Sequence, residues 1–183
     1  MSEMFIEYVP LSQIERWPRN PQDHDLPEIK RSIERFGFVR SLLIDERSGK
    51  LVAGHGRVDS LTEMKAAGKT APQGIRVVGD EWMVPVERGV SFNSDAEVEA
   101  FLLADNQLTM RGGWDEPMLA EILLDLQNQG GEALAGVGFD SAFVQALIAR
   151  NVTPTEEFKA YDESVANDVE LITCPNCGAQ IPK

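Results

Sequence analysis

Cysteine is nearly missing from this chain. Its 183 residues contain two, Cys174 and Cys177, close together near the carboxyl end. That excludes a disulfide framework and points to a reducing compartment. Long apolar runs are missing too: no segment is long and apolar enough to cross a bilayer. Met1-Ser2-Glu3-Met4 lacks the basic-then-apolar pattern of a signal peptide. The expected location is therefore cytoplasmic, with no membrane partner. Basic charge is scarce, with 17 Lys+Arg against 30 Asp+Glu and a net charge of −13. The deficit is uneven. Residues 1–60 hold 9 Lys+Arg and 10 Asp+Glu, a balance of −1, whereas residues 61–183 hold 8 and 20, a balance of −12. Such a chain excludes strong non-specific DNA binding, because neutralising phosphates supplies most of that affinity. Any DNA contact is expected to be weak and to run through the near-neutral first third, where Arg16, Arg19, Arg35 and Arg40 lie. Internal repeats are absent.

What is present is enough apolar sequence, 43%, to bury a core in one domain with a tail or in two small domains. The stretch that organises the chain is Leu51-Val52-Ala53-Gly54-His55-Gly56-Arg57-Val58. An apolar run ends in two glycines flanking a histidine, an arginine follows, and a helical pattern begins with Val58, Leu61 and Met64. This reads as strand, tight turn and first helical turn. Such a turn presents unpaired N–H groups with the helix dipole behind them. Gly54 and Gly56 permit close approach of a ligand, Arg57 adds charged donors, and His55 is the titratable group within it. The combination suits phosphate or another anion. A plain strand-to-helix connection, with glycine needed only for the turn, fits the same pattern equally well.

In chain order, residues 5–9 read as a strand ended by Pro10, and residues 11–14 as a single turn. Pro18 and Pro21 force the next loop into an extended path. Asp25 with Glu28 forms a capping box for a helix carrying Ile29, Ile33 and Phe36 and stopped by Gly37. Residues 41–44 and 50–53 are two strands around a turn at Arg47-Ser48-Gly49. The helix after the 54–57 turn ends at Gly68. A short strand over 75–78 and a firmer one over 82–86 follow. Ser94 and Glu97 cap a helix through Val98, Phe101 and Leu102 that runs out at Asp105-Asn106. Asp115 and Asp140 cap two more helices, with Phe139 and Val144 placed as a hydrophobic staple. Residues 151–173 read as an acidic linker. The order implies an α+β fold, with a small mixed sheet and a helical C-terminal half.

These residues resemble the ParB/sulfiredoxin superfamily. The resemblance is carried by Val9-Pro10-Leu11 with Asn20-Pro21, Ser32-Ile33 with Phe36-Gly37-Phe38, Leu43-Ile44-Asp45, and Val52 through Val58. It continues in Val84-Pro85-Val86, Leu103-Ala104-Asp105-Asn106, Gly113-Trp114-Asp115-Glu116 and Gly138-Phe139-Asp140. The set covers residues 8–150 in the family's order and is most similar to the ParB-like domain that precedes the catalytic domain of phage-associated DNA methyltransferases. The resemblance implies a ParB/sulfiredoxin-like domain over 1–110 with a helical extension over 111–150; the acidic linker over 151–173 and a single Cys-x-x-Cys tail over 174–183 follow it. It implies that Gly54, His55, Gly56 and Arg57 hold the phosphates of a nucleoside triphosphate, CTP or ATP, with Mg²⁺. Asn106 beside Asp105 would place phosphates and metal, and Arg19 and Asn20 would lie beside the nucleotide. It further implies a DNA-associated accessory protein in a bacterial host cell, working beside a separate methyltransferase or other phage DNA-processing protein, with homodimerisation possible. An alternative within the fold is an NTPase or phosphotransferase with His55 and Asp105 near the chemistry. A nuclease is a weaker alternative, because only Asp45, Asp59 and Asp105 are at hand.

The chain also departs from the family. The phosphate turn has His55, Gly56 and one arginine where ParB has Glu and two arginines. Position 55 is not the sulfiredoxin cysteine, and residues 69–81 resemble an insertion. No helix-turn-helix is evident after residue 107. There is no Gly-rich cofactor loop and no Asp/Asn-Pro-Pro-Tyr motif, so the chain is not itself a methyltransferase. The tail motif Cys174-x-x-Cys177-Gly178 has the shape of one zinc knuckle. Zinc wants four ligands and both histidines are distant, so this is half a site. It is either an unmetallated tail or a Zn²⁺ site completed by another chain.

Overall fold

A computed structural model describes residues 3–152 and 171–182. The chain divides into two units, Met1–Val152 and Thr153–Lys183.

The hub of the first unit is strand β5 (Glu81–Arg88). Along one edge it pairs antiparallel with β1 (Phe5–Pro10), from Phe5↔Arg88 to Pro10↔Met83. Its other edge is shared. β4 (Arg76–Val78) takes the beginning as an antiparallel hairpin turned at Gly79. β2 (Leu42–Asp45) takes the end in parallel, at Leu42↔Val86 and Leu43↔Glu87. β3 (Lys50–Ala53) closes the sheet antiparallel to β2. The fold is thus α+β with a mixed sheet, as the order of elements implied.

Strands β2 and β3 are apolar on both faces, and successive side chains point opposite ways. Leu42, Ile44 and Leu51 join a core with Ile33 of helix α1 (Leu26–Phe36) and Val58, Leu61 and Met64 of helix α2 (His55–Ala66). Leu43 and Val52 face the other side and pack with Trp17, Phe92 and Val98, Phe101 and Leu102 of helix α3 (Asp95–Arg111). Leu42, Leu51, Val52, Leu61 and Val98 have no exposed surface, and each such side chain contributes about 1.5–3 kcal/mol by burial. Helices α4 (Glu116–Asn128) and α5 (Ser141–Asn151) pack on each other through Leu119, Leu123, Val144 and Leu147, with Phe139 against them. The segment between them docks on α1, where Arg35 donates to the Ala135 carbonyl.

Four helices start as the sequence indicated. Asp25, Ser94, Asp115 and Asp140 accept from the N–H groups of Glu28, Glu97, Met118 and Phe143. The capping boxes close differently from expectation. Glu28 turns to Arg31, and Glu97 accepts from the Asn93 N–H rather than from that of Ser94. The helix expected to run out at Asp105-Asn106 continues to Arg111. Its apolar stripe ends at Leu102, yet no helix breaker occurs before Gly112, so its last turns continue exposed to solvent.

The expected linker 151–173 lies mostly outside the described residues. Its last residues, Leu171–Thr173, form strand β6, paired with β7 (Gln180–Pro182) in a separate two-stranded sheet.

Candidate functional site

A cavity of about 470 Å³ opens at the amino end of α2. Three segments build it. The first loop is held against β3 by main-chain bonds, Trp17 N–H to the Leu51 carbonyl and Leu51 N–H to the Glu15 carbonyl. Pro18 and Pro21 then carry the loop onward extended, which delivers Asn20, Gln22 and His24 to one wall. The 54–57 turn forms the floor. α3 supplies Phe101, Leu102, Asp105 and Asn106, and Arg40, Ser41 and Glu87 complete the rim.

Of the residues the sequence put forward, Asn20, Gly54, His55, Gly56, Arg57, Asp105 and Asn106 line this one cavity. Arg19 does not. It faces away into a neighbouring groove and pairs with Glu99 at 3.0 Å, because the loop alternates sides at this point. Cys174 and Cys177 belong to the second unit.

Among the described residues, α2 is the one α-helix of five whose start has no side-chain cap. Its N-cap is Gly54, in the left-handed region at φ 102°. A Cβ there would lie 2.5 Å from Leu42 Cδ2 and 2.9 Å from the Arg57 guanidinium, so the backbone itself requires glycine. Gly56 is a packing glycine as well. A Cβ on it would meet His24 Cγ at 2.7 Å and Ile29 Cδ1 at 2.9 Å. Its missing side chain is what lets the first loop close over α2, which is a different use from clearing the approach of a ligand.

Arg57 is committed in part to the protein. Its Nη1 donates to the carbonyls of Arg40 and Ser41, the latter at 2.9 Å, and so pins the chain entering β2. Burial, reinforced by the nearby charge of Arg40, lowers its pKa to about 10, with Asp105 and Glu87 opposing. It remains a cation at neutral pH. His55 is buried, and its pKa falls to about 4, first through burial and then through His24 and Arg16, against the pull of Asp59. It is neutral at pH 7. Its Nε2 and that of His24 are both buried with no hydrogen-bond partner in the protein, a condition that a ligand polar group would relieve. His24 was not singled out from the sequence. Its neighbours there mark only a helix start, and its place beside Gly56 depends on the path of the whole loop.

The carboxylates considered for a nuclease do not assemble. Asp45 is fully buried and serves structure. Burial acts to raise its pKa, but it accepts from the Ser48 hydroxyl and from the N–H groups of Arg47, Ser48 and Phe92, and the net shift is downward. Asp59 pairs with Arg16, and Asp105 sits on the cavity rim. Among the described residues, no three His, Cys, Asp or Glu side chains cluster to hold a metal ion. The basic residues expected to meet DNA are also partly occupied, Arg16 with Asp59, Arg19 with Glu99 and Arg35 with the Ala135 carbonyl. Among the described residues, no helix is long and apolar enough to cross a membrane.

No protein-family model matches the sequence, and no curated protein does. Solved structures do. The chain is similar to the C-terminally truncated chromosome-partitioning protein ParB from Caulobacter crescentus complexed with CTP-gamma-S. Identity is 18%, with 83% of this chain and 81% of that one covered and a TM-score of 0.55. A similarity to a Pnob8-like ParB-N domain, also at 18% identity, covers all of this chain and 59% of that one, with a TM-score of 0.38. The chain therefore has a ParB-like fold, with its candidate site at the amino end of α2.

Proposed function

We propose that the cavity binds a nucleoside triphosphate with Mg²⁺, with CTP the first candidate. The observation that carries the reading is the uncapped amino end of α2 opening into a cavity with the orphaned Nε2 atoms of His24 and His55. Unpaired N–H groups at a helix start favour phosphate. The volume lies within the range of small-molecule sites. The ParB of similar fold is complexed with a CTP analogue, which orders the nucleotides to test.

Charge supports a role for the metal. The cavity is lined by two arginines, Arg40 and Arg57, and two carboxylates, Glu87 and Asp105, so its own charge does not balance a triphosphate. Mg²⁺ is commonly held by one or two carboxylates together with phosphate oxygens, and Asp105 and Glu87 suit that habit. Arg40, Arg57, Asn20 and the start of α2 would hold phosphate oxygens.

In its wider setting, the protein is proposed to be a DNA-associated accessory factor of a phage or mobile-element DNA-modification system, acting beside a separately encoded methyltransferase. The sequence resemblance supports this setting. A second reading, hydrolysis or transfer of the terminal phosphate, is favoured by one observation. His55 lines the cavity, is neutral at pH 7 and keeps an Nε2 without a partner in the protein, so it is available to hydrogen-bond a reacting group.

Titration calorimetry with CTP, ATP and GTP, each with and without Mg²⁺, tests the binding. One triphosphate is expected to bind, and more weakly without Mg²⁺. No heat from any of them with the folded protein refutes the reading. Phosphate release, measured with and without DNA, separates binding from hydrolysis.

A further inference from the structure

The second unit carries a feature that the nucleotide cavity does not use. β6 and β7 form a hairpin with the register Leu171↔Pro182, Ile172↔Ile181 and Thr173↔Gln180. Its loop is Cys174-Pro175-Asn176-Cys177-Gly178-Ala179. Two main-chain bonds shape it, Gly178 N–H to the Cys174 carbonyl at 2.9 Å and Cys174 N–H to the Ala179 carbonyl at 2.8 Å. Gly178 sits at φ 76°, in the left-handed region. The result folds the loop back on itself and places Cys174 and Cys177 on one tight turn. Both cysteines are free. Two cysteines on a Cys-x-x-Cys turn make a two-thiolate bite for a soft tetrahedral metal.

We propose that this hairpin is half of a four-thiolate zinc centre, and that the other half is the same hairpin of a second copy of this chain. The ligand count leads to the second copy. Structural zinc takes four ligands, drawn mainly from Cys and His. The chain has no third cysteine and only two histidines. Those two, His24 and His55, line the cavity of the first unit. Among the described residues, no further His, Cys, Asp or Glu joins the cysteine pair to make a group of three. A two-fold axis through the metal supplies two cysteines from each copy and needs no other donor.

Packing independently supports the same occupant. A lone two-stranded hairpin is marginal in water, and this one leaves Leu171, Ile172 and Ile181 exposed at 53%, 44% and 41%. A second identical hairpin, drawn in by the metal, covers aliphatic side chains with aliphatic side chains. The inference does not depend on the nucleotide reading, because it uses no residue of the cavity.

The test uses the full chain, purified under a non-chelating reductant. Elemental analysis is expected to give about one zinc per two chains. Zinc added to the metal-free chain should raise the sedimenting mass from monomer towards dimer and saturate near half an equivalent. Cobalt(II) in its place should give the intense absorption of a tetrahedral all-thiolate site. Cys174→Ser and Cys177→Ser should each abolish metal uptake and the metal-driven rise in mass, while an unchanged melting profile shows that the first unit is folded. One tightly held zinc per monomer would overturn the proposal, since the ligands would then come from the same chain. So would the absence of zinc uptake, or a zinc-driven dimer that persists in the double serine variant.

Discussion

Replacing Gly56 by alanine isolates the close packing at the heart of the cavity. The added Cβ would lie 2.7 Å from His24 Cγ, 2.9 Å from Ile29 Cδ1 and 3.0 Å from His24 Cβ. The Ile29 contact is with the end of a flexible side chain and yields easily. The His24 contacts are with the root of a side chain on the first loop, so the loop itself must move. Overpacking of this kind costs about 1–3 kcal/mol. Against it stands the better helix propensity of alanine, about 1 kcal/mol at most and less in a first turn. The expected net loss is about 1–2 kcal/mol, or roughly 2–8 °C in melting temperature for a chain of this size. Gly113→Ala is the control, because nothing lies within 4 Å of its Cβ position. It should leave stability unchanged or slightly raised. His24→Ala in the Gly56→Ala background should restore part of the loss, which a double-mutant cycle in urea would read as coupling of about 1 kcal/mol. Gly56→Ala as stable as the parent, with no coupling to His24, would refute the packing role assigned to this glycine.

His55 is held near pKa 4 against 6.5 for an ordinary histidine, so the unfolded chain takes up the proton first. Its contribution is intact above pH 6.5 and is lost as pH falls towards 4, by about 3 kcal/mol in all. The pH dependence of urea unfolding should flatten over that window in His55→Asn, and parallel profiles would count against it. Asp45→Ala strands the buried donors that it now satisfies and should cost about 3 kcal/mol or more. A loss below about 1 kcal/mol in urea denaturation would show that water replaces it. Arg57→Ala should weaken triphosphate binding about tenfold or more and also lower stability, because the Arg40 and Ser41 carbonyls lose their donor. Unchanged affinity in calorimetry would place the nucleotide elsewhere.

The elements that were legible in the sequence are those whose causes are local. Asp25, Ser94, Asp115 and Asp140 announce their helices because each caps residues three positions ahead. Glycine punctuation worked in the same way at Gly37 and Gly68. What escaped is held by distant partners. Nothing near residues 81–88 says that this strand pairs with three others. Nothing near Arg19 says that it turns to Glu99, and nothing near Asp45 announces that Phe92 will donate to it. The α3 helix was cut short because its stripe ends at Leu102, yet propensity alone carries it on to Arg111.

The 54–57 turn shows why a glycine motif is weak evidence of a ligand. Both of its glycines are fully used by the fold: Gly54 by its left-handed backbone against Leu42, and Gly56 by the approach of His24. A turn built only to connect strand and helix would need them just as much. The observations that favour a ligand lie in what the fold leaves unsatisfied. Among the described residues, α2 lacks the side-chain cap that the four other α-helices have, and two histidines that line the same cavity each keep a buried ring nitrogen without a partner in the protein. One of those nitrogens belongs to His24, which reaches the cavity only because Gly56 has no side chain. The glycine therefore serves the candidate site indirectly, by admitting a histidine rather than by admitting phosphate. A larger residue at position 56 should cost affinity through displacement of His24 as well as stability.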